Sequence, residues 1–228
     1  MFFFDPLYLV FALPALLLAL FAQWRVRATY QKYAQIPNMR GLSGTDAAQR
    51  LLEATGLGHV NLEGASGQLT DHYDPRNSTL RLSEGVASGK SVASLGIVAH
   101  ELGHAVQDHE QYLPMRLRAS IVPAANLGTY LGPILFVIGF LLNLTSLAWL
   151  GIILFSGAVV FALFTLPVEL DASRRALVLL YDNGLVDVRE RDGARAVLNA
   201  AALTYFAALA QAVSNLLYYV FLLTGRRR

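Results

Sequence analysis

ASIVPAANLGTYLGPILFVIGFLLNLTSLAWLGIILFSGAVVFALFTLPV, residues 119–168, runs for 50 positions without one charged side chain. A helix crosses the hydrocarbon of a bilayer with about 20 apolar residues, so this run is too long for one span and suits two. Lipid-exposed chain must satisfy its own backbone polar groups, which two helices joined by a short turn accomplish. Asn143, Thr145 and Ser146 sit near the middle and supply that turn. The stretch therefore reads as a transmembrane helical hairpin. Gly128-x-x-x-Gly132 allows close helix packing, either within the hairpin or between subunits.

Two further uncharged runs flank it. Residues 6–24 form one span that ends at Arg25 and Arg27, and residues 196–225 form another, with Tyr218 and Tyr219 as candidate interfacial anchors. Composition agrees: 55% of the chain is hydrophobic, 15% is charged and the mean hydropathy is +0.45, more apolar than a soluble domain. The N-terminal run has Asp5 where a signal peptide has its basic region, and no small-x-small cleavage site follows, so a retained anchor is expected. A net charge of +2 without a basic face gives no reason to expect a nucleic-acid partner. Cys is absent, which excludes disulfides, thiolate metal sites and cysteine nucleophiles.

Between the first span and the hairpin, residues 25–118 carry enough charge and glycine for a small α+β domain. Helical apolar spacing over 45–55 starts at Ser43 or Thr45 and stops at Gly56. Residues 60–82 alternate around turn signals at Gly64, Gly67 and Asp74-Pro75 and predict short strands, with 71–75 a candidate edge strand for an extended substrate. Residues 92–108 are helical again. A second soluble piece, 167–195, is expected to open a new helix with Pro167 at its first position and Glu169 in its first turn.

The helix at 92–108 contains His100-Glu101-Leu102-Gly103-His104, an H-E-x-x-H. Spacing of i and i+4 puts both imidazoles on one helix face, aimed at one metal, with Glu101 beside them. Two neutral imidazoles and a carboxylate suit zinc, whose fourth position then holds a water of lowered pKa for which Glu101 is the general base. From the chain's own His and Glu content about 0.003 such patterns arise by chance, so coincidence is a poor explanation. For the third ligand, Glu169 outranks His109: it directly follows the 50-residue run, where an unpartnered carboxylate is costly, whereas His109 faces another side of its helix. Glu169 also has an ordinary alternative role as a first-turn helix carboxylate.

These motifs, HELGH at 100–104 with Gln107 after it, GQLTDHYDP at 67–75, LPVELDASRRA at 166–176 and AAALTY at 200–205, resemble the YugP-type neutral zinc metallopeptidases of bacterial membranes over nearly the whole chain. More distantly the chain is similar to the HtpX-type membrane proteases, which also place a two-span hairpin between H-E-x-x-H and a ligating Glu. The resemblance implies His100, His104 and Glu169 as ligands of one zinc ion (Zn2+) per chain, and Glu101 as the catalytic residue. In gluzincins similar to thermolysin an Asp four residues after the ligating Glu orients a ligand imidazole; here Ser173 holds that position and the nearby acid is Asp171. Tyr73, His72, Arg174 and Tyr205 are all candidates to stabilise an oxyanion, with nothing in the sequence to choose among them.

The expectation is thus a mainly α membrane protein, with four transmembrane helices and a small α+β zincin-like catalytic domain at the membrane surface. Its activity is expected to be that of a zinc metalloendopeptidase serving membrane protein quality control. A non-catalytic membrane scaffold with a structural zinc site is the rival, and Glu101 speaks against it, because a structural site needs no general base. Expected partners are a protein or peptide substrate and the lipid bilayer, with a homo-oligomer or a membrane-protein partner left open. The cations Arg25, Arg27, Lys32, Arg116, Arg118, Arg174, Arg175 and Arg195 lie near span ends on the side of the motif, and Arg226, Arg227 and Arg228 on the other. The positive-inside rule then puts the catalytic face in the cytoplasm of a bacterial cell, with the chain in the inner (plasma) membrane.

Overall fold

The computed structural model describes residues 6–225; the expectations attached to Asp5 and to the arginine triplet 226–228 lie outside them. In order, the elements are α1 (Pro6–Ala34), α2 (Gly44–Ala54), β1 (Asn61–Ala65), β2 (His72–Asp74), β3 (Thr79–Ser83), α3 (Glu84–Ala87), α4 (Val92–His109), α5 (Leu113–Leu141), α6 (Thr145–Asp182) and α7 (Val188–Gly225). Helices α1, α5, α6 and α7 are each long and apolar enough to cross a membrane. The protein is a mainly α membrane protein with a small α+β region. It divides into two compact units.

One unit takes in the described part of Met1–Ala22 with Pro114–Pro167 and Thr204–Arg228. Here α5 and α6 form the hairpin, turning at Asn143, which takes a left-handed φ of 59° that asparagine tolerates better than most residues. Leu144 N–H closes the turn onto Gly139 O at 2.8 Å. A Cβ on Gly128 would run into Leu154 O and one on Gly132 into Phe155, so the small residues serve contact inside the hairpin. Tyr219 stacks on Phe136 with centroids 4.4 Å apart, and Tyr218 is buried 5.1 Å from Tyr8. Both rings pack helix against helix, a role their position near the end of an apolar run does not announce. Ser214 Oγ donates to Phe11 O, tying α7 to α1.

The second unit, Gln23–Leu113 with Val168–Leu203, is the α+β region. Ser43 caps α2 through a capping box with Asp46, and Gly56 ends it with a φ of 71°. The sheet has the order β1-β3-β2, with β1 parallel and β2 antiparallel to β3. The central strand buries Leu80 and Leu82, and α4 buries Leu95, Val98, Ala99 and Leu102. These join Leu51, Ala176, Leu180 and Leu198 in one core. Ser91 caps α4 by accepting from Ser94 N–H, so the H-E-x-x-H rides on a helix anchored at its start and packed along one face.

One expected boundary is wrong. Pro167 does not start a helix and Glu169 is not in a first turn: α6 runs unbroken for 38 residues with Pro167 inside it. A proline removes one N–H and leaves only the carbonyl four residues earlier without its helical partner. Ending the helix beside an apolar run would strand several such groups, so continuing is the less costly course. The same logic carries α1 to Ala34, well past the end of its apolar run at residue 24. Apolar composition ended where the lipid-compatible stretch ends, and the helices go on.

Candidate metal centre

Helix α4 presents His100 and His104, and the C-terminal part of α6 presents Glu169 and, one turn later, Ser173. The two helices meet closely because Gly103 carries no side chain: a Cβ there would lie 2.6 Å from Ala172 O. Across this contact Glu169 Oε2 lies 3.3 Å from His100 Nε2 and 3.4 Å from His104 Nε2. The imidazoles stand nearly perpendicular, at 81° and 4.8 Å between centroids. One donor atom from each of the three residues falls within 4.8 Å of the other two, a group able to hold a metal ion.

The outer nitrogens decide whether a cation fits. Gln107 is fully buried, and its amide nitrogen donates to Val168 O at 2.8 Å and to Asp171 Oδ2 at 3.0 Å. With its NH2 so committed, Gln107 presents Oε1 to His104 Nδ1 at 3.0 Å, and that nitrogen must be the donor. His104 Nε2 is then a lone pair facing a carboxylate. His100 Nε2 likewise lies toward Glu169, and its Nδ1 is 3.3 Å from Ser173 Oγ, a hydroxyl able to donate or accept. Glu169 is only 3% exposed. Acceptor atoms converging in a buried place call for a positive charge between them. His104 registers that demand: burial by itself would lower its pKa, but the hydrogen bond that its protonated ring gives to Glu169 and the charges of Glu101 and Glu169 outweigh it and the pKa is raised. The donor set is the imidazole–imidazole–carboxylate combination that zinc favours.

Glu101 is held apart from this trio. Its Oε2 accepts the Tyr73 N–H of edge strand β2 at 3.0 Å, and Tyr73 Oη donates to Asp108 Oδ2 at 2.9 Å, farther along α4. Burial raises the Glu101 pKa above the ordinary carboxylate value, with the His100 and His104 charges pulling the other way. Burial and the Asp108 bond push the Tyr73 hydroxyl up to about 12, so it stays protonated at any physiological pH.

All four predicted site residues, His100, Glu101, His104 and Glu169, fall in one place. Gln107 and Ser173 are the residues whose roles sequence reasoning did not assign. Gln107 is three positions after His104, the imidazole it holds, and Ser173 is four after Glu169, on the α6 face that meets His100; that spacing was the available signal. Asp171 reaches His104 only through Gln107, and it is held by Arg174 and Arg175. Among the oxyanion candidates, Tyr73 is engaged with Asp108, His72 Nδ1 with Thr70 O and Arg174 with Asp171, while Tyr205 is on α7.

Apolar helices of membrane-crossing length and an H-E-x-x-H helix apposed to a glutamate on a second helix are the features of a membrane zinc-peptidase class. The chain belongs to the family described as "Putative neutral zinc metallopeptidase", whose model matches residues 8–224. It is 42% identical over 221 residues to "Putative membrane protease YugP" of Bacillus subtilis (strain 168), a match covering 96% of this chain and 98% of that one. No solved structure matches.

Proposed function

We propose that this protein is a membrane-bound zinc-dependent endopeptidase in which His100, His104 and Glu169 hold one zinc ion and Glu101 is the general base. The observation that carries the reading is a division of labour. Glu169 faces both Nε2 atoms, whereas Glu101 is kept out of that cluster by the Tyr73 N–H. A structural zinc site has no use for the second carboxylate.

When bound, zinc supplies a water of near-neutral pKa and a Lewis acid for the scissile carbonyl. The chain's own groups do the rest. Glu101 accepts the proton of the attacking water and returns it to the leaving amine; its raised pKa makes it the stronger base for that transfer. Tyr73, anchored by Asp108, keeps the Glu101 carboxylate aimed. Since the Tyr73 N–H points to Glu101 and not to β3, the free edge of β2 lies on the side of the site, and an extended peptide aligned along it would bring its carbonyl to Glu101.

In the same reading residues 6–24, 119–168 and 196–225 cross the bilayer, while residues 25–118 and 167–195 form the catalytic part. The protein resides in a bacterial plasma membrane with its catalytic face in the cytoplasm. Unfolded, damaged or membrane-embedded proteins are its substrates. The test is cleavage of casein and of a detergent-solubilised membrane protein by the purified enzyme. Chelation should abolish cleavage and zinc should restore it. Glu101→Gln should retain zinc and lose at least about 100-fold in turnover, the lower range for removal of a general base. Absence of zinc-dependent cleavage of either protein overturns the peptidase reading; full turnover by Glu101→Gln overturns the role of Glu101.

A further inference from the structure

Beyond its apolar run α1 continues for ten residues, and this extension carries a feature the metal centre does not use. Trp24, Arg25, Thr29, Lys32 and Tyr33 of α1, with Ala196 of α7, line a cavity of about 250 Å³. Arg25, Thr29 and Lys32 follow the spacing i, i+4, i+7, so two cations and a hydroxyl form one stripe. Neither Arg25 nor Lys32 has an ion-pair partner among the described residues; the Lys32 ammonium rests over the Tyr33 ring, 5.1 Å from its centroid. α7 passes Tyr33 tightly at Gly193, where a Cβ would come within 2.8 Å of the ring. One turn on, Ala196 is small enough to leave the cavity open.

We infer that this cavity binds the headgroup phosphate of an anionic phospholipid. Two unneutralised cations with a hydroxyl between them match a phosphate diester, and the helix that bears them fixes the source. Trp24, 62% exposed, closes the apolar run of α1 as residues of the aromatic belt do. Arg25 follows immediately. Lys32 lies about 10 Å farther along the axis, and helical side chains lean toward the N-terminus, so its stem points back toward the run. The whole stripe therefore falls within reach of a headgroup layer at the end of that span. Bound there, an anionic lipid would pin the start of the α+β unit to the membrane surface through α1 and α7.

The experiment is native mass spectrometry of the full-length protein in detergent, titrated with phosphatidylglycerol, with phosphatidylcholine and with inorganic phosphate. Phosphatidylglycerol should bind in preference to phosphatidylcholine. The double variant Arg25→Gln/Lys32→Gln should weaken it about 30-fold, since each cation near a membrane surface contributes roughly a factor of five. Arg27→Gln, which removes the same charge from α1 outside the cavity, should stay within about twofold of the parent, because an exposed charge that does not touch the headgroup is screened by solvent and salt. All three side chains are exposed, so the variants should keep the parent's circular dichroism spectrum. Equal binding of both lipids overturns the proposal, as does an Arg27→Gln loss equal to that of the double variant, which would mean diffuse attraction. Displacement of the lipid by millimolar inorganic phosphate would reassign the cavity to a free anion and overturn the lipid assignment.

Discussion

Replacing Gly103 by Ala adds one methyl group between the two halves of the metal centre, and the structure says how far it must push. The new Cβ would lie 2.6 Å from Ala172 O and 3.2 Å from Ala172 Cα, all rigid helix backbone. Relieving the carbonyl contact to about 3.2 Å moves α4 and α6 apart by about 0.6 Å. Two energies compete in the fold. Overpacking costs about 1–3 kcal/mol, and the better helix propensity of Ala returns about 1 kcal/mol. The net loss is at most about 2 kcal/mol, a fall in melting temperature of about 4–8 °C for a chain of this size. Metal binding is far less forgiving, because ligand distances must hold within about 0.2 Å. A 0.6 Å separation of Glu169 from the imidazoles should therefore cost 10- to 100-fold in zinc affinity, read by competition with a chromophoric chelator. Gly96 on the same helix is the control: its Cβ would meet Ala194 at 3.6 Å, ordinary contact, so Gly96→Ala should bind zinc as the parent does and melt no lower. If Gly103→Ala keeps the parent's zinc affinity, or Gly96→Ala loses as much, the helix separation is not what sets the site.

Gln107→Leu should lower zinc affinity by 10- to 100-fold with little change in fold, because it removes the acceptor that fixes the His104 tautomer; isothermal titration showing unchanged affinity would remove Gln107 from that role. The Asp74 carboxyl, bonded to Arg76 and Arg81, is held down at about 2. A carboxylate whose folded pKa lies below its unfolded value stabilises the fold above about pH 4 and loses that contribution as pH falls toward 2. The gap in melting temperature between the parent and Asp74→Asn should accordingly close over that interval, and a gap constant from pH 6 to pH 2.5 would refute the linkage. Ser88, Asn183 and Ser146 are all exposed in a chain without Cys, so single cysteines there can report orientation through an impermeant maleimide on intact cells. Labelling of Ser146→Cys alone fits a cytoplasmic site; labelling of Ser88→Cys and Asn183→Cys without it inverts the protein; a difference between those two would separate Glu169 from His100 and end the shared-site reading.

What was legible in the sequence divides along the range of the forces involved. The four apolar helices follow from desolvation of a continuous run, a local property, and the H-E-x-x-H follows from a four-residue spacing within one helix. Glu169 was reachable across 69 positions only because a carboxylate bordering lipid is costly enough to require a partner. Its helix was misjudged for a related reason: Pro167 is a start signal in water, but beside an apolar run the backbone has nowhere else to place its hydrogen bonds. The groups that orient the imidazoles were harder, since they are chosen by contact and not by spacing to a fixed motif. Ser173 occupies the position from which an Asp would act, and it does meet His100 Nδ1, so the position survives the change of residue. Asp171, the acid nearby, acts one step removed, fixing the Gln107 amide whose oxygen holds His104. The carboxylate-anchored amide leaves the inner nitrogen of His104 as a lone pair, while the hydroxyl beside His100 can serve either tautomer of that ring. In the proposed zinc centre Glu169 would be the one charged ligand, so a bound dication would keep the net positive charge that a Lewis acid needs.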